Sequence, residues 1–436
     1  MTSKRACKIF FLCAAAVVSG QPVHAQNFAY PLVSSAPLGY SRPFIWIAGS
    51  VDPSSQVYGP GQTTCSSSTN ICYYFPSDIR TAYAVSSILN GNGGAGQTVA
   101  IVDAYSNTQT EADLAAFSSQ FGLPACSAVS GCLTFVNQAG GATLPGCSAS
   151  ASVCQGWFGE QDLDVQWVHA IAPNAKILVV CANTASTSDL LTGVATAYAT
   201  SGVVVVTNSW GGPESSGETL EDSTISASTI PVLFSTGDQK MGESVDYPAI
   251  SPFALAVGGT HLLETATSYR NVEGAWGEGP DNGAGGACSV YEGQPSFQNG
   301  FATVCGSFRG APDVALIADP FTGVLTYLGS NAGPDGAGFY IVGGTSLASP
   351  VMAGLIANID TARVTAGKAI IGGPNSTRNL VALLYAAAAN PFYHYRFYDV
   401  TTLTNNFYPA GAGWDRASGL GVPMGPALTA YLVGLP

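Results

Sequence analysis

The chain has 436 residues, of which 47% are hydrophobic, 9% are charged and 52 are glycine. Its formal net charge is −13, and without residues 1–25, which carry three basic and no acidic side chains, the balance becomes 11 − 27 = −16. So acidic a surface repels nucleic acid and anionic membranes, which excludes both as partners. The length allows one large α/β domain or two to three average domains.

Residues 1–25 have the pattern of a secretory signal peptide. Lys4, Arg5 and Lys8 precede an apolar run over residues 9–18, and residues 23–25 resemble a small-residue cleavage site. The run is too short to cross a bilayer, and no later stretch is long and apolar enough. We therefore expect an exported protein, secreted or periplasmic, that is soluble and monomeric.

The composition and periodicity of the remaining chain change near residue 73. Residues 26–72 are rich in Ser, Pro, Gly and Gln without clear periodicity, and are predicted to be an irregular extension. Residues 73–436 are predicted to form the functional domain, in which residues 265–340 are Gly-rich and loop-like.

Nine cysteines follow residue 25, and eight of them lie in close neighbouring pairs. Four local disulfides in an oxidising compartment are the natural interpretation, although sequence alone leaves the connectivity open. The pairs are Cys65/Cys72, Cys126/Cys132, Cys147/Cys154 and Cys288/Cys305. Cys181 lies within an apolar run and is predicted to be a small core residue. A zinc site is disfavoured, because no histidines accompany the pairs at ligand spacing.

Apolar strands alternate with helical patterns after residue 73. Strands are predicted at residues 98–105, 176–182, 203–210, 232–238 and 254–262, and helices at residues 111–121, 159–171, 188–199, 220–228, 347–359 and 379–389. Continuous apolar strands between helices indicate a parallel sheet covered on both faces. The predicted fold class is therefore α/β, with a mostly parallel central sheet.

Polar residues close several of these strands, and ligands of such sheets bind at the carboxyl ends of strands. Asp103, Ser209 with Trp210, and Asp238 occupy such positions. An aspartate there is usually a turn residue. Kept protonated, it has a second use, because a carboxylic acid donates a hydrogen bond to a developing oxyanion.

The sequence Gly-Gly-Thr-Ser at residues 343–346 delivers Ser346 to the start of an apolar helix. Glycines permit close backbone approach, and a helix N-terminus offers unpaired N–H groups and partial positive charge beside the hydroxyl. Pro350 fits a first helical turn. An ordinary helix-capping turn explains the same residues, so a catalytic role for Ser346 depends on a partner elsewhere.

Glu160 and Asp164 stand four residues apart on one helical face among apolar neighbours. Two negative charges at that spacing repel each other, and burial disfavours both ionised forms. We therefore predict that the two carboxyl groups share a proton and that one of them has a raised pKa. The helix dipole explains Glu160 equally well, but not Asp164. His169, His261 and His394 lie in settings that favour structural roles.

Together these motifs resemble the sedolisins, the serine-carboxyl peptidases with a subtilisin-like fold. The resemblance runs from about residue 73 to the C-terminus and rests on an ordered set of motifs. They are Glu160 with Asp164, residues 209–214, residues 235–238 and residues 344–350, with further matches at 122–124, 247–249, 257–260 and 309–314.

The resemblance implies a hydrolase of protein or peptide substrates. Ser346 would be the nucleophile, Glu160 the general base and then acid, and Asp164 the residue that orients Glu160. Asp238, protonated, would stabilise the oxyanion with the Ser346 N–H, and Asp103 and Trp210 would extend the network. A carboxylate base implies activity in acid and failure near neutral pH, and we expect the peptidase to act as an endopeptidase.

The resemblance also implies a Ca²⁺ site near the C-terminus. Its ligands would be Asp399, Asp415 and the carbonyls of Val400, Gly411 and Gly413, a hard oxygen set that suits calcium. Without the resemblance, this region reads as a Gly-rich surface turn.

Two other functions remain open from the residues alone. One is a subtilisin-type Ser/His/Asp peptidase that uses His261 or His169. The other is a secreted binding protein that keeps the fold without activity. Loss of turnover on replacing Glu160 separates the first alternative from the sedolisin interpretation, and labelling of Ser346 separates the second.

Overall fold

The computed structural model describes residues 24–53, 64–65, 72–85, 92–238, 245–263, 272–278, 282–389 and 391–436. The predicted signal peptide lies outside these residues except for its last two positions, and the division of the chain at residue 73 stays a prediction. No helix in the described ranges combines the length and apolar character that crossing a membrane requires.

The strands are, in chain order, β1 (His24–Pro31), β2 (Arg42–Pro43), β3 (Trp46–Val51), β4 (Thr64–Cys65), β5 (Cys72–Tyr74), β6 (Thr98–Ala104), β7 (Leu133–Asn137), β8 (Lys176–Ala182), β9 (Val203–Asn208), β10 (Trp210–Pro213), β11 (Val232–Ser235), β12 (Asp246–Tyr247), β13 (Leu255–Leu263), β14 (Val272–Ala275), β15 (Gly277–Glu278), β16 (Asn282–Gly283), β17 (Ala287–Gly293), β18 (Phe308–Ala311), β19 (Val314–Ile317), β20 (Thr322–Leu328), β21 (Gly338–Gly343), β22 (Phe397–Tyr398) and β23 (Val422–Pro423).

The helices are α1 (Pro76–Ala82), α2 (Thr110–Phe121), α3 (Ala151–Ile171), α4 (Thr187–Ala199), α5 (Asp222–Ser226), α6 (Thr345–Thr365), α7 (Leu380–Ala388), α8 (Tyr393–Arg396) and α9 (Gly425–Gly434). Short 3₁₀ turns lie at Glu218–Leu220, Ser296–Gln298 and Thr303–Cys305.

The central sheet has the strand order β14-β13-β11-β9-β6-β8-β7, with β19 also paired to β13. Every pairing in it is parallel except the one between β13 and β14. The five strands predicted between residues 98 and 262 all lie in or directly beside this sheet. The predicted α/β class with a mostly parallel sheet is confirmed.

Helices cover both faces of this sheet, as the continuous apolar strands predict. Along β6, Val99 and Ile101 belong to the core that contains α3 and α6. The intervening Ala100 and Val102 belong to the core that contains α4. Successive side chains of a strand point to opposite faces, so each strand serves both cores. The helix pair α3 and α6 thereby lies on one face, carrying Glu160 and Ser346.

A second sheet, ordered β1-β3-β21-β20-β5-β4, corrects two predictions. Residues 26–72 were expected to be irregular, yet β1, β3 and β4 fall there, and β3 pairs with β21, the strand that leads to Ser346. Residues 265–340, expected to be loop-like, contribute β14 to β20. Short strands interrupted by Gly and Pro carry too little periodicity to be seen in sequence.

Several element boundaries also differ from prediction. Helix α3 begins at Ala151, eight residues before its predicted start at residue 159. Gly156 and Gly159 interrupt its helical pattern, yet both are buried, because other chain segments pack closely against them. The helix predicted at residues 220–228 is shorter, ending at Ser226. Pro350 lies inside α6 rather than in its first turn.

Three of the predicted disulfides are present: Cys126–Cys132, Cys147–Cys154 and Cys288–Cys305. Cys72 is also disulfide-bonded, and its backbone lies opposite Cys65 in the β4–β5 ladder. Cys181 is a buried free thiol in β8, as predicted. The group formed by Cys126, Cys132 and His169 is not a zinc site, because its two sulfur atoms are bonded to each other in a disulfide and are not thiolates.

Candidate active site

Ser346 is the second residue of α6, and Gly344 sets its position. Gly344 has φ of +109°, a backbone conformation that favours glycine. A Cβ atom there would collide with the carbonyl oxygen of Phe44 and lie 2.5 Å from Asp238 Oδ2. The glycine in the Gly-Thr-Ser motif is therefore required by both conformation and space.

The Ser346 hydroxyl faces a carboxylate. Its Oγ donates to Glu160 Oε2 at 2.8 Å and lies 3.3 Å from the carbonyl oxygen of Ser209. Phe44 N–H donates to the same Oγ at 3.2 Å. Ser346 and Glu160 are both fully buried. The structure thus brings together the serine and glutamate that the sequence paired by resemblance.

Burial governs the protonation of Glu160. Loss of water around its carboxyl group raises its pKa well above the usual value, and the carboxyl groups of Asp164 and Asp103 raise it further. The Ser346 hydroxyl opposes this by hydrogen bonding to the charged form. A carboxylate whose pKa is raised toward the working pH is a stronger base for a hydroxyl.

Asp164, one helical turn after Glu160, is held by a serine that the sequence analysis gave no role. Ser209 Oγ donates to Asp164 Oδ1 at 2.7 Å and lies 3.3 Å from the carbonyl oxygen of Ser346. Burial and then the Asp103 carboxyl raise the pKa of Asp164 well above its usual value. Ser209 has a single hydroxyl hydrogen, and the shorter of the two distances places it on Asp164.

The position of Pro350 explains why the Ser346 carbonyl is available. In a regular helix that carbonyl accepts the N–H of residue 350, but proline has none. Ser209 Oγ lies 3.3 Å from that carbonyl oxygen. The proline within α6 therefore leaves the Ser346 carbonyl without its helical N–H partner, beside the serine that holds Asp164.

Asp238 follows β11 and binds Thr345, the residue before Ser346. Its Oδ1 accepts the Thr345 N–H at 2.7 Å and the Thr345 Oγ1 hydroxyl at 2.5 Å. Its Oδ2 accepts no hydrogen bond from the described residues. Burial raises the pKa of Asp238 to about 7, although the two Thr345 bonds lower it. Below that pH the group is a carboxylic acid with one oxygen free to donate.

Asp103 and Trp210 occupy the edge of this cluster. Burial raises the pKa of Asp103 to about 8, and neither of its side-chain oxygens accepts a hydrogen bond within the described part of the chain. Trp210 is fully buried and its Nε1 donates to the carbonyl oxygen of Val102 at 2.8 Å. Asp103 thus acts on Glu160 and Asp164 through charge, while Trp210 braces β6.

Sequence reasoning missed three contributors to this site. Ser209 and Thr345 lie inside motifs that the sequence analysis had identified. Because a buried carboxylate needs hydrogen-bond donors, the hydroxyl groups in those motifs were the signal that could have revealed both residues. Phe44 lies in the segment predicted to be irregular, and no local pattern marked it.

The histidines stand apart from the nucleophile, as predicted. His169 Nε2 lies 2.8 Å from the carbonyl oxygen of Pro124, and His261 Nδ1 lies 2.6 Å from Asp319 Oδ2. Ser346 forms no hydrogen bond with a histidine among the described residues. The geometry therefore gives a His-dependent subtilisin mechanism no support.

The residues suggested for calcium gather around one loop. Gly413 N–H donates to Asp399 Oδ1 and Oδ2 at 3.0 and 3.1 Å, and Gly411 N–H donates to Asp415 Oδ2 at 2.8 Å. Val400, beside Asp399, is fully buried. Carboxylates and backbone carbonyls are hard oxygen donors of the kind that Ca²⁺ prefers, and here both carboxylates accept hydrogen bonds from the loop's own N–H groups.

Known proteins resemble this chain in sequence. A sequence model described as the subtilase family matches residues 139–421. Kumamolisin of Bacillus sp. (strain MN-32) is 32% identical over 83% of this chain, and tripeptidyl-peptidase sed1 of Aspergillus fumigatus is 30% identical over 44% of it. The chain spans 64% of the length of kumamolisin and 31% of that of sed1.

A solved structure agrees with the sequence relatives. Pseudomonas sedolisin, a serine-carboxyl proteinase solved with two molecules of pseudo-iodotyrostatin, superposes with a TM-score of 0.68 and 28% identity. The match covers 83% of this chain and 98% of that one. The chain therefore belongs to the subtilase family, as a member of the sedolisin (serine-carboxyl peptidase) type.

Proposed function

We propose that this protein is an acid-acting serine-carboxyl peptidase that cleaves protein or peptide substrates through an acyl-enzyme. The observation that carries the proposal is the 2.8 Å hydrogen bond from Ser346 Oγ to Glu160 Oε2 in a buried setting. A serine hydroxyl is a weak nucleophile until a base within hydrogen-bond reach removes its proton. Glu160 is in that position.

Each buried carboxyl group has a distinct role. Glu160 takes the proton of Ser346 during attack and returns it to the leaving amine. Asp164, fixed by Ser209, orients and electrostatically couples to Glu160. Asp238 donates from Oδ2 to the developing oxyanion, assisted by the Ser346 N–H. Asp103 and Trp210 are proposed to extend the network around Glu160 and Asp164.

The protonation states give the expected pH dependence. The raised pKa of Glu160 requires the pH to be high enough for some of that group to be ionised. The pKa of Asp238, at about 7, requires the pH to stay below that value for the oxyanion donor to keep its proton. Activity should therefore occur in acid and fall as the pH rises through neutrality.

The mode of cleavage is proposed to be endopeptidase action. The relatives include both kumamolisin and proteins named tripeptidyl-peptidases. Mass spectrometry of the products separates the two modes, because tripeptidyl action releases successive three-residue fragments from a substrate N-terminus. An N-acetylated peptide substrate should still be cleaved if the enzyme is an endopeptidase.

Calcium is proposed to stabilise the C-terminal loops. Asp399 and Asp415 would hold the ion with the carbonyls of Val400, Gly411 and Gly413, and the ion would supply charge neutralisation for the two carboxylates. A ligand that binds the folded state alone raises its stability by mass action. Chelation should therefore lower the melting temperature of wild type, and the variant Asp415→Asn should lose that response.

Export is proposed from the signal-like residues 1–25 and is consistent with the disulfides among the described residues. The protein is proposed to act as a monomer with no membrane or nucleic-acid partner. N-terminal sequencing of protein recovered outside the cytoplasm, and its mass in solution, test these two statements.

The test of the main proposal is hydrolysis of a denatured protein between about pH 3 and 8, with wild type and Ser346→Ala in parallel. We expect an acid optimum for wild type and no hydrolysis by the variant. A peptide aldehyde should inhibit wild type in acid, because an activated serine hydroxyl adds to its carbonyl carbon. Equal hydrolysis by both proteins would contradict the role of Ser346, and no hydrolysis by either would favour a non-catalytic binding protein.

A further inference from the structure

A third carboxyl group lies on the helix that carries Glu160 and Asp164. Asp162 stands between them in α3 and is also fully buried, but it points away from both, because helical residues two apart do not face each other. Its Oδ1 accepts hydrogen bonds from Asn107 Nδ2 at 2.9 Å and from Thr110 Oγ1 at 2.7 Å. Asn107 follows the end of β6, and Thr110 begins α2. One oxygen of Asp162 thus joins α3 to two other parts of the fold.

A second aspartate contacts Asp162 from α2. Asp113, in the first turn of α2, is buried, and its carboxyl group meets that of Asp162 directly. Asp113 Oδ2 and Asp162 Oδ2 each accept no hydrogen bond from an N–H or hydroxyl donor of the described residues. Buried polar atoms are nearly always hydrogen-bonded. Two neighbouring carboxyl groups satisfy each other when one of them is protonated, because only the protonated form is a donor.

The surroundings of the two aspartates favour a proton. Loss of water raises the pKa of Asp162 well above its usual value, and the Asp113 carboxyl group raises it further. Burial also raises the pKa of Asp113, to about 6. In the described ranges neither carboxyl group forms a salt bridge with a basic side chain. The two residues therefore hold a proton at the acid pH at which the enzyme is proposed to work.

The other ionisable side chains on the surrounding elements are engaged elsewhere. On α3, Glu160 and Asp164 are hydrogen-bonded to serine hydroxyls of the candidate active site. On α2, Glu111 accepts a backbone N–H from the loop that follows this helix. Tyr105, in the loop after β6, interacts with groups beside α4, and Asp335, in the loop before β21, is exposed. The two buried aspartates thus act mainly on each other.

The loop between β20 and β21 packs against the same two aspartates. The backbone of Gly329 hydrogen-bonds to both carboxyl groups, which opposes the rise in their pKa. A Cβ on Gly329 would lie 2.5 Å from Asp113 Oδ2 and 2.9 Å from Asp113 Oδ1. Asn331 Nδ2, in the same loop, donates to Asn107 Oδ1 at 2.7 Å. Glycine at position 329 therefore lets the loop approach the carboxyl groups closely.

These contacts meet between the elements that carry the reacting groups. Helix α3 carries Glu160, two residues before Asp162, and the loop at Gly329 leads through β21 to Ser346. The 2.8 Å hydrogen bond between Ser346 and Glu160 depends on how these elements lie relative to one another. A displacement of about 1 Å in a reacting group is enough to cost about 100-fold in rate. A contact that fixes α3 at Asp162 therefore affects the distance on which the chemistry depends.

We propose that Asp162 and Asp113 form a proton-sharing pair that positions α3, and with it Glu160, against Ser346 in acid. The effect of the pair on rate rests on the proposed peptidase function, whereas the pair itself does not. Neither residue touches substrate, so both are positioning residues that act through Glu160. When both carboxyl groups lose their protons, two buried negative charges face each other and push α2 and α3 apart.

The sign of the pH dependence follows from the raised values. The folded-state pKa of Asp113, about 6, lies above its value of 3.8 in an exposed chain. Between these values the folded state binds more protons than the unfolded state, so stability falls as the pH rises. The contribution of Asp113 is complete below about pH 4 and is lost as the pH rises through about 6. Asp162, whose pKa is also raised, continues the loss at higher pH.

The first experiment measures the pair without any catalysis. Melting temperature is followed from pH 4 to pH 8 for Ser346→Ala and for the same protein carrying Asp113→Asn. The amide donates to Asp162 at every pH, so the melting temperature of the double variant should rise relative to Ser346→Ala by about 2 °C or more across this range. Glu111→Gln, on the same helix, is the matched control and should give a constant difference. A constant difference for Asp113→Asn as well would overturn the shared proton.

The second experiment measures positioning in the otherwise unchanged enzyme at about pH 4. Asp162→Ala should lower kcat about tenfold or more per folded molecule while KM stays within about twofold, because Glu160 is displaced and the substrate site is not. Asp162→Asn should restore kcat to within about threefold of wild type, since its amide N–H takes the place of the shared proton. Equal kcat for Asp162→Ala and wild type, or an equal loss in both variants, would contradict the positioning role.

A parallel pair of variants on α2 covers the case in which Asp162→Ala does not fold. Asp113→Ala removes the partner carboxyl group from α2 and should lower kcat in the same direction, and Asp113→Asn should restore it. No difference between these two variants would contradict the proposal.

The two experiments also separate this inference from the proposed function. A wild-type protein that hydrolyses peptides in acid, with no pH-dependent gain for Asp113→Asn, would overturn the pair alone. A wild-type protein without hydrolysis would overturn the proposed function and with it the effect on rate, while the melting temperatures would still decide whether the two aspartates share a proton.

Discussion

Two groups of buried carboxyl residues in this protein are stabilised in opposite ways. In the catalytic group, Glu160, Asp164 and Asp238 are bound by hydroxyl and N–H donors, and no basic side chain in the described ranges forms a salt bridge with them. Asp313, by contrast, meets Arg309 through two hydrogen bonds of 2.8 and 2.6 Å. All five side chains are fully buried.

The difference distinguishes buried carboxyl groups that can gain or lose a proton from a buried carboxylate that supports the fold. A carboxyl group buried without a cation has a raised pKa and holds a proton that can be moved. A carboxylate fixed by a fully buried guanidinium is a structural ion pair, and here Tyr385 OH and Ala256 N–H also donate to Asp313. The motif at residues 309–314 therefore contributes stability, while the motifs around Glu160, Asp238 and Ser346 hold the carboxyl groups of the candidate active site.

The same contrast predicts how stability depends on pH. Asp103 and Asp238 have folded-state pKa values of about 8 and about 7, above their value of 3.8 in an exposed chain. Between those values the folded state binds more protons than the unfolded state, so stability falls as the pH rises. The contribution is complete below about pH 4 and is lost through the folded pKa values. Melting temperature should accordingly decrease from pH 4 to pH 8.

The largest effect should come from the proton acceptor. Glu160→Gln keeps the shape of the side chain but cannot take the Ser346 proton, so kcat should fall roughly 10⁴-fold or more. His261→Gln, which disturbs a histidine bound to Asp319, should keep kcat within a few-fold of wild type. The measurement is initial rate at about pH 4 with proteins of equal folded fraction. The reverse order of effects would restore the subtilisin-type alternative.

Breaking the structural ion pair should be the next largest change, but in stability. Arg309→Met leaves the Asp313 carboxylate buried without its cation, a loss of about 3–5 kcal/mol in the free energy of unfolding. Arg396→Met is a matched control, because Arg396 is partly exposed and its guanidinium lies over the Tyr431 ring at 4.1 Å. That control should lose about 1 kcal/mol.

Denaturant unfolding measures both arginine variants, and rate per folded molecule measures their activity. We expect each folded variant to hydrolyse peptides as wild type does, because Arg309 touches none of the reacting groups. A loss of activity in Arg309→Met without a loss of stability would remove the distinction between the two carboxyl groups.

Asp238 should show a smaller catalytic effect with a diagnostic pH profile. Asp238→Ala removes the oxyanion donor, a loss of about 3–4 kcal/mol in transition-state stabilisation. Asp238→Asn keeps an N–H donor that cannot ionise, so it should retain more activity and lose the decline through about pH 7 that is expected if Asp238 is the oxyanion donor. Profiles of kcat/KM for the two variants make the comparison. An unchanged neutral limb in the Asn variant would exclude Asp238 as the titrating group.

The sequence predicts the parallel strands and helices of the central fold, and it identifies the charged residues of the candidate site. Strands such as Lys176–Ala182 are found to the residue, because a parallel strand buried on both faces is a continuous apolar run. Glu160 and Asp164 are recognisable because charged residues on an apolar helical face require an explanation.

What the sequence does not reveal depends on long-range contacts. Phe44 and Ser346 are 302 positions apart, and their hydrogen bond has no local sequence signal. Ser209 and Asp164 are similarly brought together by the packing of a strand end on a helix. The strands of residues 265–340 are short and Gly-rich, so their pairing, rather than their composition, defines them.

The smallest expected effect concerns Asp103, whose side-chain oxygens accept no hydrogen bond from the described residues, so that it can influence Glu160 and Asp164 only when it is ionised. With a pKa of about 8, Asp103 is neutral at the acid pH at which the enzyme is proposed to work. Asp103→Asn replaces a neutral acid with a neutral amide of the same shape. We therefore expect kcat/KM at about pH 4 to stay within about threefold of wild type, less than 1 kcal/mol.

The same variant distinguishes a neutral Asp103 from an ionised one. An ionised neighbour raises the pKa of Glu160, so removing its charge would move the acid limb of the kcat/KM profile to lower pH. A neutral neighbour leaves that limb where it is, because no charge is removed. A shifted limb, or a loss of thirtyfold or more at pH 4, would show that Asp103 shares in the proton transfers and that the catalytic group contains one more member than Ser346, Glu160, Asp164 and Asp238.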